Sequence, residues 1–159
     1  MKRYFEKFYN DVPMVELSEQ AAVQSGDYTL EDDVAMRRYL DFIDGELNTI
    51  IYAKWDSPEQ PLADLRALHR GVRAVIYSPV VWSESGGRSW RAWYVAPDGT
   101  VRKVLEPEFD AAWQFVRESL RQPDGELVSY TVYHYHRDGY LLELITHAPD
   151  GTITSRQDA

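Results

Sequence analysis

The 159-residue chain contains no cysteine. That absence excludes a disulfide framework, a thiolate zinc site and a cysteine nucleophile, and gives no sign of an oxidising compartment. No apolar run approaches the roughly 18 to 20 residues of a spanning helix, and the opening MKRYFEKFYND lacks the continuous apolar stretch of a secretory signal. A cytoplasmic location is the expectation. The nucleophile motifs Gly-x-Ser-x-Gly and Ser-x-x-Lys are missing, and Gly86-Gly87 has neither the Gly-Lys-Ser of a phosphate loop nor a dinucleotide-binding spacing. The chain therefore reads as a binding protein rather than an enzyme, with no cofactor.

Positive charge is also scarce, with 17 Lys and Arg against 26 Asp and Glu and a formal net charge of -9. The summed field repels phosphate backbones and attracts basic partners, which argues against nucleic acid as a ligand. With no apolar segment to insert, a membrane is not expected as a partner either. Acidity also serves solubility alone in many proteins, so it does not by itself select a partner. The 44% apolar and 27% charged fractions are those of an ordinary globular protein, and the length fits one domain over residues 1–159.

What the chain does have is a series of Asp-Gly pairs, at Asp44-Gly45, Asp98-Gly99, Asp124-Gly125, Asp138-Gly139 and Asp150-Gly151. Such pairs tolerate positive φ and close tight hairpins. Three lie between aromatic or β-branched runs, RRYLDFI-DG-ELNTIIYAKW, WRAWYVAP-DG-TVRKVL and SYTVYHYHR-DG-YLLELITHA, and predict three hairpins. APDGT occurs at 96–100 and again at 148–152, where Pro presets a type I turn and Gly takes the left-handed position; the second copy implies a final strand at 152–156. No clean longer period points to a solenoid.

Two segments read as helices. Residues 61–70 open with Pro, stop before Gly71 and set Leu62, Leu65, Leu68 and His69 at helical spacing. Residues 107–121 open with Glu108 and Asp110, close with Arg117 and Arg121, and align Phe109, Ala112, Trp113, Val116 and Leu120 on one stripe, so their charges would complement a helix dipole. Residues 18–24 offer a short third helix. Residues 72–82 read as a strand interrupted by Pro79, and Ser85-Gly86-Gly87 as the turn into the strand of Trp90. The expected fold is α+β: an antiparallel, hairpin-rich, curled sheet with two or three helices packed on it.

The third hairpin carries the sharpest constellation. A two-residue loop at Asp138-Gly139 pairs His134 with Glu143 and Tyr130 with His147, and alternation then puts His134, His136, Glu143 and His147 on one face. The other face, with Thr131, Tyr133, Tyr135, Leu142 and Leu144, is the expected core side. Two histidines and a facing carboxylate could bind a divalent metal or act as base and orienting acid, which makes His134, His136 and Glu143 the candidate metal or small-ligand site. The simpler reading leaves them on solvent. No metal is expected.

Carboxylates cluster at Glu31-Asp32-Asp33, Glu106-Glu108-Asp110 and Asp124-Glu126. Helix-end and turn roles account for the last two, while the first reads as a solvated loop that could dock a partner. The 5 Trp and 11 Tyr are the other unusual feature. Trp82, Trp90, Trp93 and Tyr94 crowd two neighbouring predicted strands, and Trp93 and Tyr94 must point to opposite faces, so part of the cluster leaves the core. Tyr and Trp beside acids such as Glu84 make a protein-recognition surface. The candidate partner-binding residues are Asp32, Asp33, Trp82, Glu84, Trp90, Trp93 and Tyr94. Plain aromatic packing is the alternative for each aromatic among them.

In style, this small, acidic, cysteine-free domain of aromatic hairpins, with RRYLDFIDGELNTIIY and WRAWYVAPDGTVRKV, resembles the immunity proteins of bacterial polymorphic and type VI secretion toxin systems. The resemblance implies an inhibitor that covers the active site of one cognate protein toxin made by the same organism. It brings no diagnostic motif and no family residue. The alternative from a different class is a small-ligand-binding protein or hydrolase-type enzyme built on His134, His136 and Glu143.

Overall fold

The computed structural model describes residues 1–10 and 13–159. Along the chain come β1 (Arg3–Phe5), β2 (Glu16–Leu17), α1 (Glu19–Ser25), β3 (Tyr28–Asp33), β4 (Arg38–Ile43), β5 (Glu46–Tyr52), α2 (Glu59–Leu68) and β6 (Arg73–Tyr77). Then follow β7 (Val81–Trp82), β8 (Arg88–Ser89), β9 (Ala92–Val95), β10 (Val101–Phe109), β11 (Phe115–Arg121), β12 (Leu127–Tyr135), β13 (Leu141–His147) and β14 (Ile153–Asp158). Among the described residues no helix is long and apolar enough to cross a membrane.

This corrects the expected α+β layering of a curled sheet under two or three helices. Among the described residues 14 strands form a mixed, mostly antiparallel sheet, and there are two helices, of 7 and 10 residues. The difference lies chiefly in residues 107–121, which are strand rather than helix. Asp110 Oδ1 accepts the backbone N–H of Ala112 at 2.8 Å and of Gln114 at 2.9 Å, the local bonding by which Asp competes with a helix. Trp113 then adopts φ 66°, and the chain returns as β11 with Phe115 opposite Phe109.

That turn belongs to a recurring type. In six turns, beginning at Ser83, Ala96, Asp110, Gln122, His136 and Ala148, the first residue donates its N–H to the fifth residue's carbonyl and accepts from the fourth residue's N–H. The fourth place is left-handed; glycine fills five of them and Trp113 the sixth. The Asp44-Gly45 hairpin is different, with positive φ at both residues, 51° and 77°, and a two-residue loop between Ile43 and Glu46.

The chain gathers into two compact units, Met1–Pro79 with Trp93–Val101, and Val80–Ala92 with Arg102–Ala159. In the first, the strand order is β2-β1-β3-β4-β5-β6-β9. β5 and β6 run parallel, from Thr49 opposite Arg73 to Tyr52 opposite Ile76, and α2 makes the crossover that parallel pairing requires. Ser18 caps α1 by accepting from Ala21 N–H at 3.1 Å, and Gly26 closes it in the left-handed conformation. The core of this unit includes Ile50, Tyr52 and Ile76 from the sheet and Leu62 and Leu65 from α2, each contributing about 1.5 to 3 kcal/mol on burial.

The second unit is an antiparallel meander, β10-β11-β12-β13-β14, with the β7–β8 hairpin joined to β10 through β8. Both helices lie in the first unit, and Val104 and Ile145 are among the few buried apolar side chains of the second. Its third predicted hairpin has the expected register, Tyr130 opposite His147 and His134 opposite Glu143. A bulge between His134 and Tyr135 accommodates the longer turn. The face assignment needs correction: Ile145, on the His134 and Glu143 side, is 7% exposed, whereas Leu142, expected in the core, is 44% exposed. Neither face of the meander is fully covered, so hydrophobicity alone did not decide between them.

Candidate functional site

The expected acidic docking patch is bound into the fold of the first unit. Arg38 Nη2 lies 2.6 Å from Asp32 Oδ2, and Nη1 lies 2.6 Å from Asp64 Oδ2 on α2. Asp33 Oδ1 accepts the N–H of Met36 at 2.9 Å and so shapes the turn between β3 and β4. The fully buried Tyr52 donates its hydroxyl to Asp64 at 2.7 Å. Burial lowers the Arg38 pKa, but the hydrogen bonds to Asp64 and Asp32 outweigh it and hold the guanidinium above its ordinary value. Burial, followed by the bond to Asp64, pushes the Tyr52 hydroxyl up. Trp93 is buried in this unit, and Tyr94 is half-buried.

The histidines of the third hairpin do not converge. His136 stacks on Tyr140 with centroids 4.6 Å apart, and its Nδ1 lies 3.1 Å from Asp138 Oδ2. His147 stacks on Tyr130 at 4.8 Å, and Arg117 covers the same tyrosine at 4.1 Å. Glu143 pairs with Arg156 at 3.3 Å, and His134 is exposed on its strand. Among the described residues no group of three or more His, Asp or Glu side chains is placed to hold a metal ion. His136 and His147 each have a local partner in a turn and a stack.

What the second unit does assemble is a row of aromatic rings across neighbouring strands. Trp90 stacks on Phe109 (5.1 Å, 21°), Phe109 packs on Phe115 (4.2 Å) and on Trp113 (5.9 Å), and Phe115 stacks on Tyr133 (5.1 Å, 22°). Arg88 continues the row, its guanidinium carbon 3.5 Å from the Trp113 ring centre and 4.6 Å from that of Trp82. Trp82 is 56% exposed and Trp113 41%, while Trp90, Phe109, Phe115 and Tyr133 are half-buried. Such rings cost free energy to leave in water and gain it when a partner covers them.

Local geometry explains why the row ends in exposed tryptophans. β11 is bulged opposite the Glu108/Phe109 step, which leaves Val116 without a partner residue and 44% exposed. In the β7–β8 turn, a Cβ at Gly87 would meet the Phe109 carbonyl oxygen at 2.8 Å and Ser83 Oγ at 2.9 Å, so only glycine lets the two turns approach. Between them lies a cleft of about 390 Å³ lined by residues including Val81, Trp82, Ser89, Glu108 and Val116. Glu84, at the tip of the β7–β8 turn, is exposed.

Of the sequence candidates, Trp82, Glu84 and Trp90 thus share this region, whereas Asp32, Asp33, Trp93 and Tyr94 belong to the first unit. Trp113 and Phe115 were not among the candidates because a helical assignment for 107–121 put Trp113 on a buried stripe and left Phe115 off it, and Arg88 joins them only through contacts distant in sequence. No Asp-Gly pair marks this turn, whose Asp stands at the first place and whose left-handed fourth place is Trp113, so it lacks the signal that the glycine turns carry. The chain matches no protein-family model, no curated protein and no solved structure.

Proposed function

We propose that the protein is an immunity protein, a cytoplasmic inhibitor that binds one cognate bacterial toxin and blocks its activity without chemistry of its own. The observation that carries this reading is the aromatic row of the second unit, ending in exposed Trp82 and Trp113 beside a cleft. Rigid aromatic anchors of this kind slow dissociation, and a net charge of -9 accelerates encounter with a basic surface. The interface centres on Trp82, Trp113 and Glu84.

The test is co-expression with the product of the neighbouring gene, scored as survival of the host cell. Survival only in the presence of this protein supports the reading. A neighbouring product that is harmless alone, or lethal despite this protein, ends it. Raising salt from about 0.05 to 0.5 M should slow association with the toxin far more than it speeds release, because screening acts on the encounter.

A further inference from the structure

Among the described residues β14 is the last strand in the sheet order and pairs on one side only, with β13, and its six residues are all exposed. It carries no proline and no lysine, two of the devices that blunt sheet edges. Its backbone polarity is fixed by one bond: Ala159 N–H donates to Leu142 C=O at 3.0 Å while Asp158 stands opposite Glu143. In an antiparallel ladder the hydrogen-bonded pairs are then Gln157 with Leu144 and Ser155 with Thr146. The N–H and C=O of Arg156 and Asp158 therefore point away from β13.

We propose that two copies of this chain pair through β14, antiparallel, about a two-fold axis at Gln157. Arg156 of each copy then stands opposite Asp158 of the other, and the outward backbone groups of both residues close hydrogen bonds across the dyad. Charge selects this register over its neighbours. An axis at Arg156 would set guanidinium against guanidinium, whereas opposite charges across a strand pair are favourable. The reach between the two side chains exists, since Arg156 is 58% exposed and already spans to Glu143 at 3.3 Å. The axis stands perpendicular to the sheet, so both copies carry their aromatic rows on the same side. A six-residue strand pair buries little area, and each copy is at -9, so the dimer is weak and reversible.

The test is sedimentation of the full chain from about 0.01 to 0.5 mM in about 0.15 M salt, where the screening length is about 8 Å. The wild type should pass reversibly from monomer to dimer. Arg156→Pro removes an outward N–H and no backbone bond to β13, sacrificing only the exposed side-chain pair with Glu143; edge strands tolerate such a proline, and the variant should sediment as monomer with unchanged circular dichroism. Arg156→Asp, which sets carboxylate against carboxylate, should do the same, and Arg156→Asp with Asp158→Arg should restore the dimer. A wild type that is monomeric throughout, a dimer surviving in either single variant, or a charge swap that stays monomeric overturns the proposal.

Discussion

Removing the Asp64 carboxylate probes the polar heart of the first unit. Its Oδ2 accepts from the Tyr52 hydroxyl at 2.7 Å and from Arg38 Nη1 at 2.6 Å, and its side chain is 23% exposed. In Asp64→Ala the O–H of the fully buried Tyr52 loses its acceptor, at about 1 to 3 kcal/mol, and a charge-assisted bond worth about 1.5 to 3 kcal/mol is lost. Arg38 keeps Asp32, so the guanidinium is not orphaned and the sum stays near the lower end, about 3 kcal/mol. For a chain of this length that lowers the melting temperature by about 6 to 12 °C. Tyr52→Phe should cost about 1 to 2 kcal/mol, and Asp64→Ala made in the Tyr52→Phe background should cost about 1 kcal/mol less than alone, because the hydroxyl is no longer there to be stranded. Urea denaturation of the four proteins in the cycle measures it. Strict additivity, or a cost under about 0.5 kcal/mol for Asp64→Ala, would refute the reasoning.

Two further outcomes follow from the second unit. Ile145→Ala should cost about 2 to 4 kcal/mol in urea denaturation and Leu142→Ala well under 1, and the reverse order would show that the face assignment is wrong. Glu118 is pushed up by burial, with Lys103 opposing only partly. A carboxyl raised in the folded state lends its full stability only below its ordinary pKa of about 4.3 and loses it as pH rises from there, so Glu118→Gln should stabilise at pH 7 with a gain that vanishes near pH 3.5. An equal gain at both pH values would contradict the burial argument.

Much of the hairpin framework was legible because Asp-Gly pairs state their conformation locally. The register of His134 with Glu143 followed from the turn position alone, and α2 followed from the leucine spacing, although it starts at Glu59 behind Pro58 and ends at Leu68 rather than spanning 61–70. What escaped depends on distance. Asp32 and Asp33 read as a solvated run because the cation that binds Asp32, Arg38, is in turn held by Asp64 from another element. The aromatic row draws on positions 90, 109, 115 and 133, which no strand or helix period links. Residues 107–121 satisfied a helical stripe and its end charges, and the Asp110 turn with a left-handed Trp113 overrode both.

The central claim is that the aromatic end of the second unit, and not the acidic run of the first, holds the partner. The rate at which the purified toxin dissociates from Trp82→Ala, Trp113→Ala and Asp32→Asn variants tests it most directly. Each tryptophan variant should release the toxin about 30-fold faster, corresponding to about 2 kcal/mol, with unchanged circular dichroism, and Asp32→Asn should release it at the wild-type rate. Wild-type release from both tryptophan variants, with faster release from Asp32→Asn, would contradict the account.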